Sequence, residues 1–382
     1  MAMHLPQMMR MPMKQLMRPI PKELDSMSLQ NLRNRIDAID IQLQELIEQR
    51  TEIGREVGDF KRRKPEPKFV HLDREAQILK NVRQRNQGPI PDRAIERVFR
   101  EIISIARSLE VDLTISILGP EGTFTHAAAI QQFGGEFEAD FRPTIAEVFS
   151  AVEKDRAQYG VVPVENSNQG VVDSTLDCLM DSDLRLCGEI ELIVHHALIS
   201  NASDLSQIES VLAHEQALAQ CRKWLNRNLS NVHLEPAYSN ADAIVKVKDD
   251  PTKAAIASEN AAKLYGVNVL RTNIEDFVAN ATRFLVIGKD VVGPSGQDKT
   301  SILMSKQSVP GSLLKLLEPF ARHGINMTKI ESHPSQKGNW EYVFFVDFDG
   351  HCDDENVIAL FKELQEEAPL FKLLGSYPKN AV

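Results

Sequence analysis

Leu29, Leu32, Ile36, Ile39, Leu43 and Leu46 recur at alternating steps of three and four, and Ile53, Val57 and Phe60 continue the repeat. That spacing is one apolar stripe along a long helix. One slot breaks it, because Arg50 stands where the next apolar residue belongs. A guanidinium cannot shed its proton to escape burial, so in a seam it needs an anion or a path out to water. The helix is expected from about Ser28, its N-cap, to about Lys64, where Pro65 and Pro67 stop it. Two shorter helices are expected, from near Asp73 to Gly88-Pro89 and from Pro91 to Glu110, the latter with Ile95, Val98, Phe99, Ile102, Ile103 and Leu109 as its apolar face. They cannot cover so long a stripe, which implies a homodimer or higher homo-oligomer.

From Leu113 the period changes. A strand over Thr114–Leu118 runs into Gly119-Pro-Glu-Gly-Thr-Phe-Thr-His126 and an alanine-rich helix. Strands are expected at 160–164, 192–200, 211–214, 254–258 and 283–288, with helices at 218–226 and 241–247. This is α/β with a substantially parallel sheet. After a linker at 291–299 comes strand 301–305, helix 311–323, strands 325–332 and 342–348, helix 355–366 and strand 370–376. That βαββαβ order is ferredoxin-like. Three domains are expected, an all-α one over 28–112, an α/β one over 113–290 and an α+β one over 300–378. Residues 1–27 are expected to be a disordered tail. They are basic and Met-rich, and lack the continuous apolar core of a secretory signal.

The chain has 382 residues, 42% hydrophobic and 26% charged, the balance of an ordinary soluble protein. No run is long enough to span a membrane. A net charge of −10 argues against nucleic acid as a partner. Anion binding must then come from local cations or helix N-termini. Four cysteines without a CxxC pair read as reduced thiols in a cytoplasmic protein, with no metal site.

Arg50 and Lys61 are eleven positions and roughly 20° apart on a helix, so they share a face. Arg33 lies roughly 100° away and in a dimer could reach the other subunit's site. Glu75 follows His71 by one turn, and Glu110 follows Ala106 by one turn. Two arginines, a lysine and acids on a helical core suit a small dicarboxylate held by positioning and electrostatics. The plainer alternative makes Arg33 a solvated charge and residues 61–64 a basic helix end facing the macrodipole. Leu32-Arg33, Ile36-Asp-Ala-Ile-Asp40, Arg50, Val57-Gly58, Lys61 and Arg74-Glu75 resemble the all-helical chorismate mutases. The resemblance implies that Arg50 and a second subunit's Arg33 hold the two carboxylates, Lys61 meets the ether oxygen and Glu75 holds the ring hydroxyl. His71 and Ala106 stand where the family often has aspartate and serine, and enter only as pocket lining. Glu110 replaces a glutamine of some members, so it could donate to the ether oxygen only when protonated.

The second segment offers an anion cradle. Thr123 and Thr125 follow a strand and open a helix, where backbone N–H groups are free. Glu165-Asn166-Ser167 ends a strand, where ligands bind in open α/β sheets. An ordinary glycine-rich turn and a polar loop are the plainer alternatives. Together, GPEGTFTH, VVPVENSNQG with Thr175, His214 with Gln220-Cys221, Ser258-Glu-Asn260 and Asn280-Ala-Thr-Arg-Phe are similar to prephenate dehydratases, in order, over about 113–290. The resemblance implies a periplasmic-binding-protein-like fold needing no cofactor. Thr282 is then the catalytic residue, Asn166 and Gln220 lie in its pocket, and Arg283 partners a carboxylate. We read Thr282 as a positioned hydrogen-bond donor and Glu165 as a proton source. Ala213 stands where a serine often precedes the histidine.

The third segment resembles an ACT domain, with Pro310-Gly311-Ser312-Leu313 for the usual Gly-Ala-Leu and Glu331-Ser332-His333-Pro334 for Glu-Ser-Arg-Pro. The resemblance implies phenylalanine bound between subunits, with Asn326 nearby. The expected function is therefore chorismate to prephenate to phenylpyruvate under phenylalanine inhibition. A small-anion sensor fused to an ACT module, or an arogenate dehydratase, are the alternatives.

Overall fold

The computed structural model of the chain describes residues 29–379 apart from 66–67, 169, 278–279, 308 and 335–341. The expected tail, the Ser28 cap and Pro67 lie outside the described residues. The chain divides into two compact units, one ending at Ile53 and one starting at Gly54.

Helix α1 (Leu29–Arg62) carries the predicted stripe. In the first unit Ile36, Ile39, Leu43, Leu46 and Ile53 are each more than half exposed. The stripe therefore has no cover within one described chain. In the second unit Gly58 is buried under Glu110, whose Cγ would lie 3.0 Å from an added Cβ. Helices α2 (Leu72–Arg85) and α3 (Asp92–Ser108) complete the helical segment. Helix α3 begins just after Pro91, whose fixed φ suits a helix entry. It is tied to the α/β segment by Arg107, which donates to the Phe133 carbonyl, and by Ser104, whose hydroxyl accepts from Glu136 N at 3.0 Å.

The α/β segment has two sheets, not one. It runs β1 (Thr114–Leu118), α4 (Phe124–Phe133), β2 (Glu138–Arg142), α5 (Ile145–Glu153), β3 (Tyr159–Asn166), β4 (Gly170–Val171), α6 (Asp173–Asp181) and β5 (Arg185–Ile193) in the first lobe. The second lobe holds β6 (Ala197–Ile199), β7 (Ser210–Ala213), α7 (Glu215–Gln220), α8 (Arg222–Asn228), β8 (His233–Pro236), α9 (Asn240–Val247), β9 (Lys253–Ala257), α10 (Glu259–Tyr265) and β10 (Val269–Arg271). Strand β11 (Ala281–Gly288) returns to the first. The sheet orders are β2-β1-β3-β11-β5, with β4 on β3, and β10-β6-β9-β7-β8. The predicted strand over 192–200 is thus two strands, because the chain changes sheet between Ile193 and Ala197. Both sheets are mixed. Strand β11 enters from the other lobe and runs antiparallel to β3 and β5, while β1 pairs parallel with β2 and β3. Hydroxyl caps at Thr123, Thr144, Ser239 and Ser258 set the starts of α4, α5, α9 and α10.

The last module is β12 (Asp298–Ser305), α11 (Ser312–Arg322), β13 (Met327–Pro334), β14 (Tyr342–Asp349), α12 (Glu355–Glu367) and β15 (Leu370–Pro378), the predicted βαββαβ order. Its sheet, β13-β14-β12-β15, is antiparallel throughout. One face packs under α11 and α12 around Leu316, Phe320, Val346 and Phe348. The other face closes on the first lobe, where Leu303, Val343, Phe345, Leu374 and Tyr377 share a core with Val162, Val164, Leu186, Leu285 and Ile287.

Gly375 is what lets β15 come this close. A Cβ there would lie 2.2 Å from the Leu186 carbonyl oxygen, a backbone atom that cannot swing aside. We expect Gly375→Ala to destabilise the second unit by about 1–3 kcal/mol, the usual cost of overpacking. Urea denaturation measures it, and an unchanged midpoint would show that the two sheets are not held at this distance.

Candidate active sites

The two lobes face each other across a cleft of about 540 Å³. Strand alternation decides what enters it. Asn166 on β3 is the register partner of Thr282 on β11, and Glu165 is the partner of Arg283. Asn166 and Thr282 line the cleft, while Glu165 and Arg283 face the other side of the sheet. Asn166 Nδ2 donates to Thr282 Oγ1 at 2.8 Å and to Asn280 Oδ1 at 3.1 Å. Asn280 Nδ2 donates to Gln220 Oε1 at 3.1 Å, and His196 Nε2 lies 2.7 Å from the same oxygen. Because Thr282 Oγ1 is used as an acceptor, its own O–H stays available to a ligand. Among the described residues Gln220 Nε2 and His196 Nδ1 are buried without a hydrogen-bond partner. Two polar atoms thus flank the same chain of contacts with capacity to spare.

Thr123 caps α4, accepting from His126 N and donating to the Leu118 carbonyl at 3.1 Å. Thr123 and Thr125 both line the cleft, and the start of α9 opens onto it at Ser239 and Asn240. Helix N-termini carry partial positive charge and spare N–H groups, so they attract carboxylates. No lysine or arginine lines this cleft among the described residues. Ser167 is exposed, and its hydroxyl accepts from Ala281 N at 3.0 Å.

Two expected roles do not fit this geometry. Arg283 does not reach the cleft. Its guanidinium meets Asp347 at 2.6 Å, Glu189 at 2.9 Å and the Tyr377 hydroxyl at 3.0 Å. Burial works against that charge, but Tyr377, Asp347 and Glu189 outweigh it and raise the pKa. Glu165 is paired with Lys329 at 2.6 Å. Both are one residue away from a cleft residue, and on a strand one residue is the opposite face.

In the helical segment Lys61 Nζ donates to Glu110 Oε2 at 2.7 Å and to the Phe69 carbonyl at 2.9 Å. A protonated, donating Glu110 would require that ion pair to open. Glu75 instead pairs with the buried Arg107 at 2.7 Å. His71 is half-buried with its Nε2 3.1 Å from the Lys68 carbonyl, and Ala106 is buried. Arg33 is exposed and Arg50 half-buried on α1. In the last module Gly311, at φ +82°, precedes α11. Ser312 folds back onto the Gln307 carbonyl at 2.6 Å, and Leu313 is exposed. Asn326 donates to Asp349 at 3.3 Å. Glu331 and Ser332, adjacent on β13, face opposite sides, so one chain does not bring them together.

Family models match three stretches: chorismate mutase type II over residues 32–111, prephenate dehydratase over 115–291 and the ACT domain over 300–366. The bifunctional chorismate mutase/prephenate dehydratase of Pseudomonas aeruginosa is 43% identical over 360 residues, covering 93% of this chain and 99% of that one. The protein of the same description from Aquifex aeolicus is 44% identical, covering 92% and 98%. The chain belongs to the bifunctional chorismate mutase/prephenate dehydratase family. Among solved structures, prephenate dehydratase from Arthrobacter aurescens in complex with L-Phe aligns with a TM-score of 0.65 at 32% identity, over 70% of this chain and 90% of that one.

The dehydratase cleft contains residues that sequence reasoning missed. Asn280 opens the motif around Thr282 but carries no role of its own in the sequence reading; it lies just ahead of β11, two positions before Thr282, and lines the same cleft. His196 has no such signal, because the run around it reads as one continuous strand. Burial lowers the His196 pKa, against the opposing pull of Gln220 and Glu275. The folded site therefore binds a proton more weakly than the unfolded chain does. Its contribution to stability is complete above the ordinary histidine pKa of about 6.5 and is lost progressively as pH falls below it. We expect His196→Gln to lose less stability than the parent between about pH 7.5 and about pH 5.5 in urea titrations. Equal losses in the two proteins would mean that another group carries the acid limb.

Proposed function

We propose that the helical segment converts chorismate to prephenate and the interlobe cleft converts prephenate to phenylpyruvate, in the cytoplasm and without a cofactor. Phenylalanine inhibits through the ACT module. The observation that supports the dehydratase reading is the Asn166–Thr282 hydrogen bond in the cleft, which uses Thr282 Oγ1 as an acceptor and leaves its O–H available to donate. Prephenate loses its ring carboxylate as CO2, and the released electron pair enters the ring. The 4-hydroxyl departs with hydrogen bonding from the Thr282 O–H and leaves as water on taking up one proton from bulk solvent, the net proton that the reaction consumes. Helix N-termini rather than Arg283 hold the pyruvyl carboxylate. With no lysine or arginine lining the cleft among the described residues, the ring carboxylate is free to lose its charge in the transition state.

The mutase reading keeps Arg33, Arg50, Lys61, Glu75 and Glu110 as the family pattern implies, with Arg33 supplied by a second subunit. Exposed apolar side chains along α1 support pairing of two copies through that helix. In this reading Lys61 leaves its contact with Glu110 to meet the developing negative charge on the ether oxygen.

Purified protein given chorismate should release prephenate and phenylpyruvate. Thr282→Ala should lower phenylpyruvate formation by about 10²-fold or more, the scale of one lost transition-state donor, while sparing prephenate formation. Dehydratase turnover near the parent level in Thr282→Ala would sink the assignment. Conversely, Ile39→Glu should convert the dimer to monomer in sedimentation and abolish the mutase, with dehydratase turnover kept. A dimeric, mutase-active Ile39→Glu would remove α1 as the pairing surface.

A further inference from the structure

The strand pair that holds Asn166 and Thr282 is gripped from behind by the ACT module. On the far face of the same register, Glu165 pairs with Lys329 of β13 at 2.6 Å. Arg283 pairs with Asp347 of β14 at 2.6 Å and bonds Tyr377 of β15 at 3.0 Å. Ser301 of β12 closes the cluster, 2.5 Å from Asp347 Oδ1 and 2.7 Å from the Tyr377 hydroxyl. Lys299 adds a second cation on Glu189, at 2.7 Å. Strands β13, β14 and β15 thus each place a polar side chain on the back of β3 or β11, and β12 braces them through Ser301 and holds β5 through Lys299.

Such charges are expensive to bury unless paired, so the cluster tolerates little drift. A hydrophobic interface alone would let the sheets slide, but a buried cluster of charged hydrogen bonds fixes their register. Strand β13 is the element that joins the two ends. Lys329 lies between Asn326 and Glu331, the residues through which the ACT resemblance places phenylalanine. His333, further along, meets Asp177 of α6 at 2.8 Å.

We propose that Lys329 and Asp347 are positioning residues for the dehydratase, acting through Glu165 and Arg283 on the Asn166–Thr282 hydrogen bond. This rests on the reading that phenylalanine inhibits through the ACT module. A ligand that shifts β13 pulls on Glu165, and the rung Glu165/Arg283 passes the shift to the next rung, Asn166/Thr282. The change needed is small, because the Thr282 O–H is a useful donor only while Asn166 fixes its direction.

Lys329→Met and Asp347→Asn test this in the full chain. Phenylalanine affinity, measured by calorimetry, should stay within about threefold of the parent, while the concentration needed for half-inhibition of the dehydratase should rise about tenfold or more. The mutase, whose residues touch neither position, is the internal control for folding. If Lys329→Met fails to fold, the near-isosteric Asp347→Asn decides alone. Phenylalanine binding with parent-like inhibition in the folded variants overturns the proposal. A parent protein that binds no phenylalanine overturns instead the regulatory reading beneath it.

Discussion

The dehydratase half of the molecule depends on the two-residue period of one antiparallel strand pair. Strands β3 and β11 lie in the middle of the first sheet, so both of their faces are covered. One face looks into the cleft, and the other is shared with the ACT sheet through a common apolar core. Neighbouring residues on these strands therefore serve different domains. Asn166 and Thr282 work in the cleft, while Glu165 and Arg283 bind the module behind it. A one-residue slip would exchange the two sets, which is why the register must be held from both sides.

The same alternation explains the electrostatics of the cleft. Moving Arg283 out leaves helix starts as the local positive ends, and the cavity is lined by neutral polar groups and by Phe124 and Phe284. For a substrate with two carboxylates, one of which must lose its charge as CO2, that balance is favourable. A fixed guanidinium beside the leaving carboxylate would stabilise the ground state more than the transition state and slow the reaction. Buried His196 belongs to the same design, since burial favours its neutral form.

How much of this is legible in the sequence depends on the range of each signal. The βαββαβ order and strand β1 follow from local periodicity, and the structure repeats the order with element ends shifted by up to three residues. Motif spacing puts Thr282, Asn166, Gln220 and the Thr123 cap in or at the cleft. The direction of Arg283 and Glu165 is also available in principle, because alternation is local. A cation next to a cleft threonine nevertheless invites a substrate contact, and Arg283 lies on the other face. The change of sheet at 194–196 has no local signal. The run from Leu192 to Ser200 is apolar enough for one strand, and only the antiparallel return of β11 from the second lobe shows where the crossing falls. Interdomain pairs such as Arg283–Asp347, separated by 64 residues, have no sequence signature at all.

The long helix poses a different constraint. Ile36, Ile39, Leu43, Leu46 and Ile53 are each more than half exposed on a single chain. A fully buried side chain of this kind is worth about 1.5–3 kcal/mol, so the proposed pairing of two copies through this stripe would gain from each one it covers. Association costs of roughly 4–15 kcal/mol are within reach of that sum. Arg50, half-buried in this repeat, is where the proposed pairing and the proposed dicarboxylate site would meet. An arginine carried into a closing seam keeps its charge and must stay paired, and a dicarboxylate is one such partner. A helix stripe with only apolar residues would pair as well or better and catalyse nothing. The guanidinium departs from the apolar repeat, and under the proposed pairing a dicarboxylate substrate is one anion that would favour it there.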